Sequence, residues 1–367
     1  MNVQTTNPGN SPPQMEPLLS TYQNGALSLT NRMVMAPMTR NRATADGVPH
    51  PQAKVYYAQR ASAGLIVTEA TYASPGGGAY HTPGLITPAQ IAAWKEVTDA
   101  VHAVGGKIFI QLWHTGRTSH PDLRGGQLPV APSAIICEGE ARVSETERKP
   151  RVAPHPLTIP EIKTIVAEYR AAATNAIAAG FDGIELHGAN GYLIDQFTRD
   201  GSNQRTDEYG GSIENRARFG LEIARACSEA IGASRIGYRV SPTSPFNAMS
   251  DSDPIATFSY LASELSKLGI AYLHVIDPVD AGSARITPVL RKAFRGTYIV
   301  CGAFNRITGE AIIAAGDADL VAFGVPFLAN PDLPLRYTLA AQTNEPRRDT
   351  FYSSGIEGYT DYPKLSL

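Results

Sequence analysis

Three hydrogen-bonding side chains occur close together in the stretch FDGIELHGANGYLIDQF, residues 181–197. They are His187, Asn190 and Tyr192, and two glycines and an alanine separate them. The residues before them are a short apolar run broken by Glu185, and such a run is typical of a buried strand. Polar side chains in glycine-rich backbone after a core strand indicate a binding or catalytic site, because glycine lets the backbone bend until they face one point.

Eight short apolar or β-branched runs predict eight strands, and residues 182–187 form the fourth of them. The other seven runs are residues 33–38, 64–70, 107–113, 235–240, 271–276, 297–301 and 319–323. Helical patterns lie between most of these runs. The alternation predicts an α/β protein with a (β/α)₈ TIM barrel, and a doubly wound open sheet is the alternative.

N-terminal capping patterns in the sequence predict where the helices between the strands begin. Thr158 and Glu161 form a capping box before apolar residues at helical spacing, and Gly180 follows the end of that helix. Thr87 and Gln90 open a helix over residues 89–104 in the same way. The pair Asp253-Pro254 opens a helix over residues 254–268.

Three segments lie outside the alternation of strands and helices, and we make a separate prediction for each. Residues 1–16 are expected to be a disordered tail, and residues 17–367 a single barrel domain. Asn24-Gly25 predicts a β-hairpin ahead of the first barrel strand. Residues 114–157, after the third strand, contain no clear helix; we expect this long loop to cap the mouth of the barrel.

The ends of the predicted strands indicate a ligand. In TIM barrels the chemistry lies at the carboxyl ends of the strands. Gly302 and Gly324 follow strands seven and eight, where backbone N–H groups commonly bind phosphate. Gln111 and Arg239 end strands three and five and suit a planar, hydrogen-bonding heterocycle that develops negative charge. A phosphorylated aromatic cofactor across the mouth, such as flavin mononucleotide (FMN), fits both pairs.

Composition restricts the partners. The chain has 367 residues and a formal net charge of −2, which argues against a nucleic acid or a membrane surface. No stretch approaches 18 consecutive apolar residues, and the first fifteen residues lack the pattern of a secretory signal. The three cysteines are far apart and fit neither a disulfide framework nor a metal site; Cys301 is expected to be a core thiol. A reduced, cytoplasmic setting follows.

Six motifs, in order from about residue 17 to 363, resemble the old yellow enzyme family. The longest is HGANGYLIDQFTRDGSNQRTDEYGGSIENR, residues 187–216, and it is highly specific. The other five are APMTRNRA (36–43), QLWHTGR (111–117), RVSP (239–242), FLANPDLP (327–334) and GYTDYP (358–363). The resemblance implies an FMN-dependent ene-reductase that oxidises NADPH, or NADH, and reduces the C=C bond of α,β-unsaturated carbonyl or nitro compounds.

The resemblance also assigns expected roles to residues of this sequence. His187 and Asn190 would bind the oxygen of the substrate, Tyr192 would donate the proton, and Trp113 and Tyr359 would line the substrate pocket. Non-covalently bound FMN would contact ten residues: Pro37, Met38, Thr39, Ala70, Gln111, Arg239, Gly302, Ala303, Gly324 and Val325. Activated alkenes and phenolic ligands are the expected small-molecule partners, and the protein is expected to be a monomer or a homodimer.

Two positions depart from the family pattern. Val325 stands where the family usually has an arginine that contacts the FMN phosphate, so backbone N–H groups or another cation such as Arg306 must compensate, or the phosphate is held less tightly. Ala79 stands where a tyrosine is usual, and Tyr80 is shifted by one position. Two alternatives remain open: a flavin-free barrel enzyme acting on a phosphorylated substrate, and a non-catalytic flavin-binding protein.

Overall fold

The computed structural model describes residues 17–277 and 285–366. Its main sheet closes into a barrel of eight parallel strands, each hydrogen-bonded to the next in chain order, with the eighth returning to the first. The strands are β1 Met33–Met35, β2 Leu65–Val67, β3 Ile108–Trp113, β4 Gly183–Gly188, β5 Ile236–Val240, β6 Tyr272–Ile276, β7 Thr297–Cys301 and β8 Leu320–Phe323. All eight predicted strands and the (β/α)₈ barrel are confirmed, and the open sheet is not found.

Ten α-helices lie within the described residues. They are α1 Ala53–Ala58, α2 Pro88–His102, α3 Ile159–Ala178, α4 Leu193–Thr198, α5 Ile213–Ile231, α6 Pro254–Leu268, α7 Thr287–Ala293, α8 Arg306–Ala314, α9 Val325–Ala329 and α10 Leu333–Thr338. The capping boxes predicted at Thr87 and Thr158 are both formed, and Asp253 caps α6 by accepting a hydrogen bond from the Ala256 N–H. These caps satisfy amide groups that a helix start otherwise leaves without a partner.

Burial in the sheet follows the barrel geometry. Every residue of β3, β4 and β5 is buried, because their outer faces pack against helices while their inner faces fill the barrel. A large apolar cluster joins the helices to the outer face of the sheet, and a second fills the lower interior with residues such as Leu65, Phe109 and Tyr272. The predicted hairpin, Tyr22–Asn24 paired with Leu27–Leu29, contributes Tyr22 and Leu27 to this second cluster.

The long segment after β3 has more structure than the sequence indicates. Glu140–Arg142 and Arg148–Pro150 form an antiparallel hairpin, and Val130–Ala131 pairs in parallel with His155–Pro156. The guanidinium of Arg142 donates a hydrogen bond of 2.9 Å to the carbonyl of Tyr352, so this hairpin contacts the C-terminal segment. Short strands of two or three residues leave too little periodicity to be recognised in a sequence.

Further short elements complete the described chain. Thr71–Tyr72 adds a short strand beside β3. Single 3₁₀ turns occur at Pro17–Leu19, Gly116–Thr118, Pro121–Leu123, Ala233–Arg235 and Arg348–Thr350. No helix in residues 17–277 or 285–366 is long and apolar enough to cross a membrane. The tail predicted for residues 1–16 lies outside the described residues.

Candidate active site

A cavity of about 350 Å³ opens at the carboxyl ends of the barrel strands. Its volume is in the range of small-molecule sites. Twelve of the fifteen residues expected at the site line this cavity: Pro37, Met38, Thr39, Ala70, Gln111, Trp113, His187, Asn190, Tyr192, Arg239, Gly324 and Val325. They come from the ends of six strands, so the barrel brings together side chains that are far apart in the sequence.

Tyr359 is not among the residues that line the cavity. Its ring is buried and stacks on Tyr56 at 4.3 Å between centroids, while the guanidinium groups of Arg40 and Arg42 lie over it. The prediction that Tyr359 lines the substrate pocket is therefore corrected by its packing. Phe351 and Tyr352, seven to eight residues earlier in the same segment, line the cavity instead.

Gly302 and Ala303 follow β7 and are not part of the described cavity wall. The register Cys301↔Ala322 places them beside the end of β8, next to Gly324. Both have positive φ, 145° and 59°, and the second value is unusual for a residue with a Cβ atom. The backbone after β7 thus bends sharply beside the cavity, and no contact made by these two residues supports their predicted role.

His187 stands at the centre of the polar wall, and its protonation follows from its contacts. The Ala189 N–H donates to Nδ1 of His187 at 3.3 Å, so Nδ1 carries no proton and Nε2 does. Burial lowers the pKa of His187 well below its ordinary value, and the positive charges of Arg239 and His274 lower it further. The imidazole is therefore neutral at pH 7, with an N–H to donate at Nε2.

Asn190 reaches the cavity through a left-handed backbone. Its φ is 58°, a conformation that asparagine tolerates better than most residues. The conformation is held on both sides: its N–H donates to Oγ of Ser241 at 2.7 Å, and its carbonyl accepts from Nδ2 of Asn247 at 2.9 Å. These contacts occupy the backbone of Asn190 and leave its side-chain amide in the cavity wall.

Tyr192 is the residue just before α4, and its ring lies between two other cavity residues. It meets Trp113 edge-to-face at 4.6 Å between centroids and His187 at 5.0 Å. Burial raises the pKa of Tyr192 to about 12, so the phenol keeps its proton throughout the neutral range. The aromatic neighbours fix the direction of the ring and, with it, the position of a protonated hydroxyl.

Two buried donors of the wall have no partner among the described residues. They are Nε1 of Trp113 and Nε of Arg239. A buried donor without a partner costs about 1–3 kcal/mol, so such groups are normally matched by a ligand or water. A planar cofactor with several acceptor atoms would satisfy them, and the small side chain of Ala70 leaves room beside it. The wall therefore fits FMN.

Hydrophobic residues that the sequence did not indicate complete the cavity. Phe246, from the loop after β5, and Tyr352 are both more than half exposed, at 58% and 56%, and they stand at its mouth. Leu328 lies in α9 and Phe351 precedes Tyr352. The segment before GYTDYP carries an aromatic pair that could have drawn attention, but the loop of Phe246 offers no comparable signal.

The two departures from the family pattern lie in different places. Val325 begins α9 and lines the cavity, whereas Arg306 lines a separate cleft beside Tyr337. Tyr80 stacks on His81 at 4.0 Å and lines another cavity with Ala79, so neither reaches the active cavity. The first departure therefore lies in the wall of the active cavity, and the second does not.

The family model described as the NADH:flavin oxidoreductase / NADH oxidase family matches residues 18–344. The chain belongs to this family. It is 46% identical over 362 residues to 12-oxophytodienoate reductase 1 of Oryza sativa subsp. japonica, covering 95% of this chain and 93% of that protein. It is 45% identical to 12-oxophytodienoate reductase 2 of Arabidopsis thaliana, covering 96% of each chain.

Solved structures of this oxidoreductase family agree. Morphinone reductase superposes with a TM-score of 0.92 at 47% identity, covering 95% of this chain and 97% of that one. The old yellow enzyme homologue from Zymomonas mobilis gives 0.92 at 41% identity, covering 95% and 99%. Membership of the old yellow enzyme family is thereby confirmed, and the protein is an FMN-dependent oxidoreductase that uses NAD(P)H. A flavin-free enzyme is no longer a candidate.

Proposed function

We propose that this protein reduces electron-poor C=C bonds next to a carbonyl or nitro group, with His187, Asn190 and Tyr192 acting on one bound alkene. The observation that carries the proposal is that these three side chains line one cavity together with Gln111 and Arg239. The relatives named 12-oxophytodienoate reductase and morphinone reductase bear the names of oxo compounds, which supports the same substrate class. Bound FMN supplies hydride transfer between the nicotinamide and the alkene.

The residues that would hold FMN are those of the strand-end wall. Pro37, Met38, Thr39 and Ala70, which follow β1 and β2, would contact the ring system. Gln111 and Arg239 would supply hydrogen bonds to its polar edge, and the N–H groups of Arg239 would favour any negative charge that develops there. The backbone at Gly302, Ala303, Gly324 and Val325 would face the phosphate, because the carboxyl ends of β7 and β8 meet there.

His187 and Asn190 act on the substrate oxygen. When a hydride arrives at the β-carbon, negative charge develops on the carbonyl or nitro oxygen. The Nε2–H of neutral His187 and the amide of Asn190 donate to that oxygen. Each preorganised donor of this kind is worth roughly 2.7–4 kcal/mol. The ring of His187 is held by the Ala189 N–H and the backbone of Asn190 by Ser241, so little reorganisation of these segments is needed during the reaction.

Tyr192 then moves the proton. Its hydroxyl stays protonated because its pKa is about 12, and it protonates the α-carbon as negative charge arrives there. Trp113, which packs edge-to-face on the same ring, holds this geometry. Phe246 and Tyr352 form an aromatic mouth that favours cyclic or aromatic substrates.

Further properties extend this proposal. Phenols are proposed as ligands, because a phenolate resembles the enolate oxygen. We also propose that residues 17–367 form one domain, that the protein works in the cytoplasm as a monomer or a homodimer, and that it binds no nucleic acid. The net charge of −2 supports the last point.

Colour and turnover test the function. The purified protein should be yellow and should oxidise NADPH when cyclohexenone, a maleimide or a nitroalkene is added. Product analysis by mass spectrometry should show the saturated ketone, imide or nitroalkane. Yellow protein that turns over none of these compounds would overturn the proposed substrate class and the proposed roles of the three side chains.

A further inference from the structure

A chain of buried polar side chains runs across the inside of the barrel beneath the cavity. Nε2 of Gln111, on β3, donates to Oε1 of Glu185, on β4, at 2.8 Å. The other carboxylate oxygen of Glu185 is 2.8 Å from Nδ1 of His274, on β6. Glu185 and His274 are fully buried, and Gln111 is the member that lines the cavity.

Glu185 and His274 form an ion pair. Burial alone would raise the pKa of Glu185, but the positive charges of His274 and Arg239 outweigh it, so the pKa lies below its ordinary value. Burial alone would lower the pKa of His274, but the carboxylate of Glu185 outweighs it and the pKa is raised. An ionised carboxylate has only acceptors, so its partner on Gln111 is the amide NH₂.

This pairing decides what Gln111 presents to a ligand. One N–H of the amide is committed to Glu185, and its carbonyl oxygen points away from the carboxylate. The strand register places Glu185 directly opposite Gln111, which keeps the contact short. A rotated amide would bring its oxygen against the carboxylate, and two acceptors repel each other. Gln111 therefore offers an acceptor, with its second N–H beside it.

We propose that the Glu185–His274 pair is a positioning element which fixes the amide of Gln111 so that the site selects a ring carrying an N–H donor next to a carbonyl. The pair touches no ligand and acts through Gln111. The isoalloxazine of FMN has such an edge at N3–H. The inference rests on the proposed FMN contact of Gln111 and adds to it the residues that set the orientation of its amide.

Arg239 lies next to this row of buried polar side chains, at the end opposite Gln111. Nη2 of Arg239 lies 3.7 Å from Sγ of Cys301, and the positive charge of Arg239 helps to lower the pKa of Glu185. The register pairs Arg239 with His274 on neighbouring strands. Both polar residues proposed to read the ring edge, Gln111 and Arg239, are thus connected to the buried pair.

The test compares FMN with N3-methyl-FMN, which lacks the N3–H donor. The dissociation constants of both are measured by fluorescence quenching for the parent, Glu185→Gln and His274→Gln. A glutamine at position 185 can donate as well as accept, so it frees Gln111 to rotate. Loss of His274 leaves a buried carboxyl that takes up a proton and becomes a donor. We expect the parental preference for FMN to fall at least about fivefold in each variant, which corresponds to about 1 kcal/mol.

The matched control is Asp332→Asn. It breaks another buried ion pair, Asp332 with Arg336 at 2.7 Å, which is outside the cavity wall. Its ratio of dissociation constants should equal that of the parent. A parental ratio in Glu185→Gln or His274→Gln would overturn the inference. A parent that binds FMN without any preference over N3-methyl-FMN also overturns it, whereas a parent that binds no FMN refutes the cofactor contact itself.

A measurement on the parent holoenzyme covers the case in which neither variant folds. FMN labelled with ¹⁵N at N3 is bound to the protein, and exchange of its N3–H with water is followed by NMR. Donation to a fixed oxygen of Gln111 should slow the exchange at least tenfold relative to free FMN. Exchange as fast as in free FMN would mean that no acceptor faces N3–H, and the inference would be wrong.

Discussion

His187 shows how a single residue is prepared for its role by contacts that do not touch the ligand. The Ala189 N–H fixes its tautomer, and burial with two nearby positive charges keeps it neutral. We therefore expect His187→Ala and Asn190→Ala each to weaken binding of 4-hydroxybenzaldehyde roughly tenfold or more, since a hydrogen bond to a charged oxygen is worth about 1.5–3 kcal/mol. The long-wavelength absorbance that phenolates give over flavin provides the titration.

His81→Ala is the control for this prediction, because His81 lines a different cavity. Its titration should match that of the parent. A side chain whose removal leaves the dissociation constant unchanged does not donate to the ligand oxygen.

Tyr192 is proposed to serve only one half of the reaction. Burial raises its pKa to about 12, so the hydroxyl is protonated at neutral pH and can donate a proton but not accept one. We expect Tyr192→Phe to slow reduction of cyclohexenone roughly 100-fold, within the usual range of general acid catalysis, and to leave reduction of the flavin by NADPH nearly unchanged. Stopped-flow traces of the two half-reactions separate the effects. Equal slowing of both would remove Tyr192 from the acid role.

Val325 marks a position where the proposed phosphate site has an apolar side chain. Val325 lines the cavity at the start of α9, so an arginine there would be close to the phosphate. We expect Val325→Arg to tighten FMN by roughly tenfold or more, since charge-assisted pairs contribute about 1.5–3 kcal/mol. Fluorescence of free FMN on dilution measures this. Unchanged or weaker affinity would show that the phosphate already has all its partners.

Residue types near the cavity were more predictable from the sequence than side-chain directions. His187, Asn190 and Tyr192 follow one strand, so their proximity required only that strand to be recognised. The choice between Tyr352 and Tyr359 depends on how the last segment folds back, and Tyr359 is instead held by Tyr56 and two arginines. Glu185 was visible as a charge in an apolar run, but its partner His274 is 89 positions away.

At the scale of secondary-structure elements, the loop after β1 has two roles. It lines the cavity, and it binds the C-terminal segment that forms the opposite wall. Thr39 lines the cavity, while Arg40 donates to the carbonyls of Phe351 and Gly358 at 3.2 and 2.7 Å. Arg42 donates to the carbonyls of residues 350, 355 and 357 at 2.6–3.0 Å. The segment that carries Tyr352 is therefore fastened to the loop by several charge-assisted hydrogen bonds, and the hairpin of Arg142 contacts it as well.

We expect Arg42→Lys to loosen this segment, because an ammonium group cannot reach several carbonyls in the directions of a guanidinium. Losing even one charge-assisted hydrogen bond, about 1.5–3 kcal/mol, should raise hydrogen exchange of residues 350–358 roughly tenfold. KM for cyclohexenone should rise, while FMN affinity stays the same. Arg225→Lys, a half-exposed arginine on α5, is the control. Parental exchange in the Arg42 variant would show that the segment is held by its packing alone.

Element positions followed from the sequence wherever the apolar pattern was long enough. All eight strands and the capped helices are in place, because periodicity and capping are local. The segment between β3 and α3 was expected to be a long loop without a clear helix, and it contains four short strands that the sequence did not indicate. One pair joins residues 25 positions apart, Val130 and His155, which no local pattern indicates. The other pair is a local hairpin whose three-residue strands are too short to show a periodicity.

The pH dependence of stability belongs to the whole molecule, and two buried groups act on it in opposite directions. Burial lowers the pKa of His114 to about 3, so the unfolded chain binds one more proton below pH 6.5 and this contribution to stability is lost as the pH falls. Burial raises the pKa of Glu69 to about 7, so the folded protein binds the extra proton between pH 4.5 and 7 and gains stability as the pH falls. The two effects largely cancel between pH 4.5 and 6.5.

Glutamine at either position keeps a hydrogen-bond acceptor and cannot titrate, so each variant exposes the effect of the other group. Relative to the parent, His114→Gln should gain roughly 1–2 kcal/mol of unfolding free energy on going from pH 6.5 to 5.0, and Glu69→Gln should lose about as much, since one proton per pH unit is worth about 1.4 kcal/mol. Urea unfolding of the holoenzymes at both pH values measures these changes. Any effect of a substitution on the unfolding free energy that is the same at both pH values cancels when the two values are subtracted. Parallel pH profiles for the parent and both variants would mean that water reaches these side chains and keeps their pKa values near the ordinary ones.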